Sequence, residues 1–171
     1  VSPRAKISFS KNRFTFWADY AQTAQYLSLY PYFTVKTPVD IWYPLEKNMK
    51  PALCHQYSIG AEQEIQGGLT LYAGIFYKKM KHVKDFSSGL STKYTALTDN
   101  MITGSGHARG VEFNLALEHR KISARFNYTL SESKRKFAEI NNGKSFFPPY
   151  DVKHNVVVNT SYDISTRLTF N

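Results

Sequence analysis

The stretch "GHARGVEFNLALEHRKISARFNYTLS", residues 106–131, repeats with a period of two. Apolar side chains fall on Val111, Phe113, Leu115 and Leu117, separated by Glu112, Asn114, Ala116 and Glu118. After His119-Arg120-Lys121 the pattern resumes with Ile122, Ala124, Phe126, Tyr128 and Leu130, alternating with Ser123, Arg125, Asn127, Thr129 and Ser131. Successive side chains of an extended chain leave opposite sides of the pleat. The stretch therefore predicts two strands, each with one apolar and one polar face, joined by a tight turn around Arg120.

Working outward, the same alternation predicts strands in "RAKISFS" (4–10), "RFTFWADYA" (13–21), "QYSIGAEQEI" (56–65), "LTLYAGIFYK" (69–78), "HNVVVNTSY" (154–162) and "TRLTFN" (166–171). No segment has convincing helical periodicity. The reading is all-β and antiparallel, with about eight strands. Their lengths suit tilted membrane strands of roughly 9–11 residues. Tight connections are expected near Asn12, at Gly67-Gly68, around Arg120 and around Asp163, Gly-Gly being a hairpin dipeptide able to take positive φ. The other three connections, Gln22 to His55, Met80 to Gly106 and Glu132 to Lys153, are long. Short turns at one end and long loops at the other are the pattern of an outer-membrane barrel. Loops of this length are uncommon in compact soluble domains.

The polar faces bear on the medium. They carry Asp19, Glu62, Glu64, Glu112, Glu118 and Arg125. In a soluble core every such charge would need a partner, because a buried unpaired charge costs several kcal/mol. In a wide barrel the polar face lines a wet lumen and the apolar face meets lipid. Aromatics at the strand ends agree with interfacial girdles, with Phe14 and Tyr162 low and Tyr20, Tyr57 and Tyr77 high. No apolar run is long enough for a transmembrane helix, and the single cysteine, Cys54, excludes an internal disulfide. The net charge of +9 is compatible with nucleic acid, anionic lipid or an acidic ligand. The cluster "YKKMKHVKD" has no recognition-helix or aromatic nucleic-acid motif, so no nucleic-acid partner is expected. Two alternatives to that reading remain open: a complete eight-stranded outer-membrane barrel with a structural or adhesive role, and a soluble sandwich binding nucleic acid through its charge of +9.

Four segments add a resemblance. "TPVDIWYPLEKNMKPALCHQYSIGAE" (37–62) contains a "DIW-P" loop followed by "N-KP" and "QYS-G". "GIFYKKMKHVKDF" (74–86) follows as a strand with a basic, aromatic exit, then "GHARGVEFNLAL" (106–117) and "INNGKSFFPPYDVKHNVVVNTSYDIS" (140–165). In this order they resemble TonB-dependent outer-membrane receptors, particularly those of Bacteroidetes. The resemblance implies a transmembrane segment from the later part of a 22-stranded barrel, without plug domain or closing strand. It also implies energised import of a ferric siderophore, a cobalamin or a glycan. The implied partners are the lipid bilayer, lipopolysaccharide, the imported ligand, and the TonB complex acting through the plug.

The site expectations follow. Exposed aromatics stack on sugar rings and aromatic ligands, and lysines meet anionic groups. This makes Tyr30, Tyr32, Trp42, Tyr43 and Lys47 the candidate ligand-binding set in the first long loop. Trp17, Asp19, Glu62, Glu112 and Arg125 are expected to line the lumen. No catalytic constellation, metal site or cofactor is expected. His55 beside Cys54 offers two metal-ligating atoms without identifiable further partners.

Overall fold

A computed structural model describes residues 2–30, 41–45, 47, 49–86, 101–165 and 168–170. Its strands are β1 (Arg4–Lys11), β2 (Phe14–Gln25), β3 (Leu27–Tyr30), β4 (Ile41–Pro44), β5 (Ala52–Ile65), β6 (Leu69–Phe86), β7 (Met101–His119), β8 (Ile122–Lys136), β9 (His154–Ser165) and β10 (Leu168–Phe170). Eight of them form one antiparallel sheet in the order β1-β2-β5-β6-β7-β8-β9-β10, while β3 and β4 pair as a separate hairpin. No described helix is long and apolar enough to cross a membrane.

The tight turns lie at one end, as the residues predicted. Asn12 and Arg13 both take positive φ, 51° and 62°, the twist a two-residue hairpin requires. Gly67 and Gly68 do the same at 86° and 80°, and Arg120 at 51°. One expected turn is misplaced. Asp163 is a strand residue opposite Thr169, so the last hairpin reverses after Ser165. The sheet is open: β1 and β10 occupy its two ends, and no pairing joins them among the described residues. The eight-stranded closed barrel needed "RAKISFS" beside "TRLTFN", an arrangement this sheet lacks.

The register places every apolar run on one face. Ile7, Ala18, Ile59, Ile75, Val111 and Leu130 form one cross-strand row; Phe9, Phe16, Ala61, Ala73, Phe113, Tyr128 and Val156 form the next. That face is exposed. Ile75 is 51% accessible, Val111 44%, Phe113 40% and Val158 61%. The alternating polar face is the more sheltered, as on the concave side of a curled sheet: Ser58 is only 8% accessible between Tyr57 at 51% and Ile59 at 44%. A soluble sandwich would bury the apolar rows. Here they form the outward face and the polar rows the inward face, the arrangement of a membrane barrel wall.

The outward apolar band runs Tyr57–Ile65 on β5, Leu69–Tyr77 on β6, Ile122–Leu130 on β8 and Val156–Ile164 on β9, interrupted on β5 by Gln63 and on β9 by Thr160. Each run spans about 30 Å of strand at ~3.3 Å per residue, and ~40° of tilt brings that close to the apolar height of about 25 Å. The upper boundary falls on Tyr20, Tyr57 and Tyr77 in one row, but on Leu130 and His154, one row lower, further along the sheet. A band lying level across tilted strands must drift through the register in this way. At that boundary Tyr20 Oη and His55 Nδ1 are 3.0 Å apart, and Tyr128 Oη and His154 Nδ1 are 2.9 Å apart.

Above the band, the strands continue further than expected. β6 and β7 run through 18 and 19 residues, so the sheet stands well clear of the apolar band. β6 also carries a bulge at His82, whose φ is 54°. Lys81 opposes Ser105 and Val83 opposes Gly104, leaving His82 as the extra residue. The bulge exchanges faces: Val83 and Asp85 turn inward and Lys84 outward, where its Nζ donates to Thr103 Oγ1 at 2.7 Å.

Candidate functional site

The inward face divides into a wall at the level of the apolar band and a vestibule above it. In the wall, Trp17, Gly60, Gly74 and Glu112 share a row. A side chain on Gly60 would begin 2.6 Å from the Trp17 ring, and one on Gly74 would begin 2.7 Å from the Tyr72 hydroxyl. The glycines are therefore what let the two rings lie flat against the backbone, stacked at 6.0 Å between centroids. Phe76 lies over Gly110 in the same way, 2.8 Å from its missing Cβ. Gly60→Val is expected to cost about 1–3 kcal/mol through this overlap and to lift Trp17 off the wall. Trp17 emission, read in a Trp42→Phe background, should shift; unchanged emission and stability would contradict the packing.

The expected lumen residues share this inward face. Asp19, Glu62 and Glu112 all act electrostatically on the Tyr72 hydroxyl, giving the wall an acidic zone. Lys6, paired in register with Asp19, places its Nζ 5.4 Å from the Trp17 ring centroid. Arg125 sits apart from that zone, lower on the wall, 3.8 Å from Glu118, whose carboxylate also accepts from Ser123 Oγ at 2.8 Å. An amide pair, Asn114 Nδ2 to Asn127 Oδ1, lies between them on β7 and β8.

The expected ligand-binding set lies elsewhere. Tyr30, Trp42 and Tyr43 belong by backbone to the β3–β4 hairpin, with Trp42 opposite Leu29 and Tyr43 opposite Ser28. Their side chains, and all of Tyr32, fall outside the described residues. Lys47 is exposed in the turn after the hairpin. Cys54 and His55 point to opposite faces of β5, His55 outward to Tyr20, so adjacency in sequence does not make them co-ligands.

The vestibule is a hollow of about 790 Å³ at the upper ends of β2, β5, β6 and β8, closed on one side by the segment after β8. Cys54, Met80, Val83, Asp85, Arg135 and Tyr150 line it. The closing segment is anchored by three features. Arg135 and Phe146 exchange backbone hydrogen bonds of 2.9 Å, the Ser133 amide donates to Asp151 Oδ1 at 2.8 Å, and Phe137, 1% accessible, packs against Phe146. Arg135 is central, 3.7 Å from the Asp85 carboxylate and with its guanidinium 5.1 Å from the Tyr150 ring centroid. Its Nε is buried without an acceptor among the described residues. Burial raises the Tyr150 phenol above its ordinary value; the Arg135 charge opposes this and Asp85 adds to it.

This open sheet has a solved counterpart. It aligns with a TonB-dependent receptor chain in the structure of the FpvAI–pyocin S2 complex, with a TM-score of 0.62 and 17% identity, covering 96% of this chain and 21% of that one. No family model matches the sequence, and no curated protein does. At 17% identity the likeness establishes the fold alone, the wall of a β-barrel, and the chain spans about a fifth of its counterpart's length.

The vestibule residues Arg135, Asp85 and Tyr150 were missed by sequence reasoning. Alternation alone sends Asp85 outward, and only the bulge at His82 brings it to Arg135. Tyr72 and Phe76 were missed too, although Gly60, Gly74 and Gly110 were a usable signal: an isolated glycine in a strand often marks a close approach.

Proposed function

We propose that this chain is part of the wall of an outer-membrane TonB-dependent receptor that imports a scarce nutrient: a ferric siderophore, a cobalamin or an oligosaccharide. It is a transport component with no catalytic role. The observation that carries the reading is the exposed apolar band on a sheet that matches a receptor wall over nearly its whole length. The vestibule lies where an extracellular ligand arrives, and Arg135 and Tyr150 offer it a cation and an aromatic ring. The acidic inward zone of Asp19, Glu62 and Glu112 faces the plug through which the TonB complex acts. The likeness of residues 37–62 to Bacteroidetes receptors belongs to the same proposal.

Deleting the gene should abolish growth on one defined nutrient, and complementation should restore it. Arg135→Met should then weaken uptake about tenfold or more, as the loss of a charged hydrogen-bond donor, at unchanged outer-membrane abundance. Growth unaffected by the deletion on every siderophore, cobalamin and glycan tested would overturn the import reading.

A further inference from the structure

The inward wall carries an aromatic floor. Trp17 on β2 and Tyr72 on β6 approach each other from either side of β5. Each rests on glycine, Trp17 over Gly60 and the Tyr72 hydroxyl over Gly74, so both rings lie low on the sheet. Their planes differ by only 16°, and their centroids are 6.0 Å apart. Two near-parallel rings resting at one level lie side by side, so that separation is mostly lateral. Phe76, lying over Gly110, extends the floor upward.

This floor attracts cations. Lys6 Nζ lies 5.4 Å from the Trp17 ring centroid and Lys78 Nζ 5.1 Å from that of Phe76, both within the range at which an ammonium is drawn to a ring face. Three carboxylates stand around it: Glu62 opposite Tyr72, Glu112 opposite Gly74, and Asp19 in the row of Phe76. Glu62 and Glu112 are exposed, and none of the three joins an ion pair among the described residues. Neighbouring strands are about 4.8 Å apart and a two-residue step is about 6.6 Å, so the three backbone positions mark a triangle roughly 12–16 Å on a side. The rings lie inside it.

A floor of flat rings within a triangle of unpaired carboxylates is complementary to a molecule with flat apolar faces and protonated amines at its edges. A sugar ring turns a C–H face to an aromatic ring, and an amino substituent supplies the ammonium. A linear polyamine would satisfy the carboxylates and leave the floor idle. An anionic cargo would be repelled by all three acids. Rings serving only to pack the sheet would have no reason to lie flat on glycine facing the lumen.

We propose that Trp17, Tyr72 and Phe76, ringed by Asp19, Glu62 and Glu112, form a subsite on the import path for an amino-oligosaccharide, a short chain of sugars bearing protonated amines. The sugar faces stack on the rings and the amines meet the carboxylates, while Lys6 and Lys78 swing aside on their flexible stems. The inference rests on the import function proposed above and narrows its cargo to a cationic glycan.

The test measures uptake by cells carrying the full-length receptor that contains this chain. The probes are a tetramer of glucosamine, its fully N-acetylated form, a tetramer of galacturonate and the linear tetraamine spermine. The glucosamine tetramer should enter at least tenfold faster than any other. Glu62→Gln/Glu112→Gln should slow its entry on the order of tenfold, at roughly threefold per charge contact on a wet surface. Trp17→Leu should slow it about fivefold. Glu139→Gln, at an exposed carboxylate beyond β8, should leave it unchanged. Each variant is first scored for outer-membrane abundance. Equal entry of the acetylated tetramer overturns the role of the amines, and equal entry of spermine overturns that of the rings. Glutamine variants that admit every probe and sensitise cells to a bulky antibiotic show carboxylates holding the plug, which overturns the subsite. Exclusion of all four probes, with growth on another nutrient still dependent on the gene, overturns the subsite and leaves the import function standing. Growth independent of the gene on every nutrient overturns both.

Discussion

Phe113→Arg is expected to destabilise the inserted barrel by about 2–4 kcal/mol, the usual cost of a cation near the bilayer midplane. Phe113 is 40% accessible and lies on the outward face between Ala73 and Tyr128. On β7 the outward run begins at Val111, immediately below Arg109, and continues to Leu117, so Phe113 is deeper than Val111. Val111→Arg should consequently cost less, about 1 kcal/mol, because its guanidinium can reach the interface beside Arg109. Glu112→Gln, on the wet side, should be mild. Sequence alone assigns Val111 and Phe113 the same depth; the register separates them. Urea unfolding of the full-length protein in lipid vesicles measures all three. Equal penalties for Val111→Arg and Phe113→Arg would contradict the placement of the band, and near-neutral values for both would remove the lipid face.

The second large effect is at the turn between β5 and β6, where two adjacent glycines should behave very differently. Both sit at positive φ, which costs an L-residue roughly 1–2 kcal/mol. A Cβ on Gly67 meets nothing within 4 Å, so Gly67→Ala should cost that amount alone. A Cβ on Gly68 would lie 1.9 Å from the Glu118 carbonyl oxygen, an overlap with backbone that no rotamer change relieves. The same strand end is tied by the Glu118 amide, which donates to the Gly68 carbonyl at 2.9 Å. Gly68→Ala must push β7 away from β6 and break that bond, and should cost about 3–5 kcal/mol in all, combining the φ penalty with overpacking. Equal and small effects at the two positions, measured by the same unfolding assay, would show that the turn is not built this way.

Much of this fold was legible in the residues because a period of two survives wherever the two faces meet different media. Val111 to Leu117 and Ile122 to Leu130 could be read directly, as could the sense of the faces once Glu62, Glu112 and Arg125 were weighed against burial. Strand lengths were not legible above Tyr77 and Arg109. There both faces are wet, so polar residues fall on either parity and the alternation fades although the hydrogen-bond ladder continues. The turn near Asp163 was misread because Asp favours turns, yet cross-strand pairing with Thr169 extends β9 past it. The vestibule was hidden for another reason: Arg135, Asp85 and Tyr150 come from three distant segments, and no local pattern encodes their meeting.

The bulge at His82 acts as a dislocation in the otherwise regular ladder between β6 and its neighbours. Below it, every side chain of β6 obeys one parity, set by the need to present grease to lipid. Above it the parity is inverted, and the residues answer to the vestibule and to the neighbouring rim. One surplus amino acid thus uncouples two selective pressures that share a single continuous ribbon. The upper storey can be rewritten, residue by residue, without disturbing the phase of the part embedded in oil.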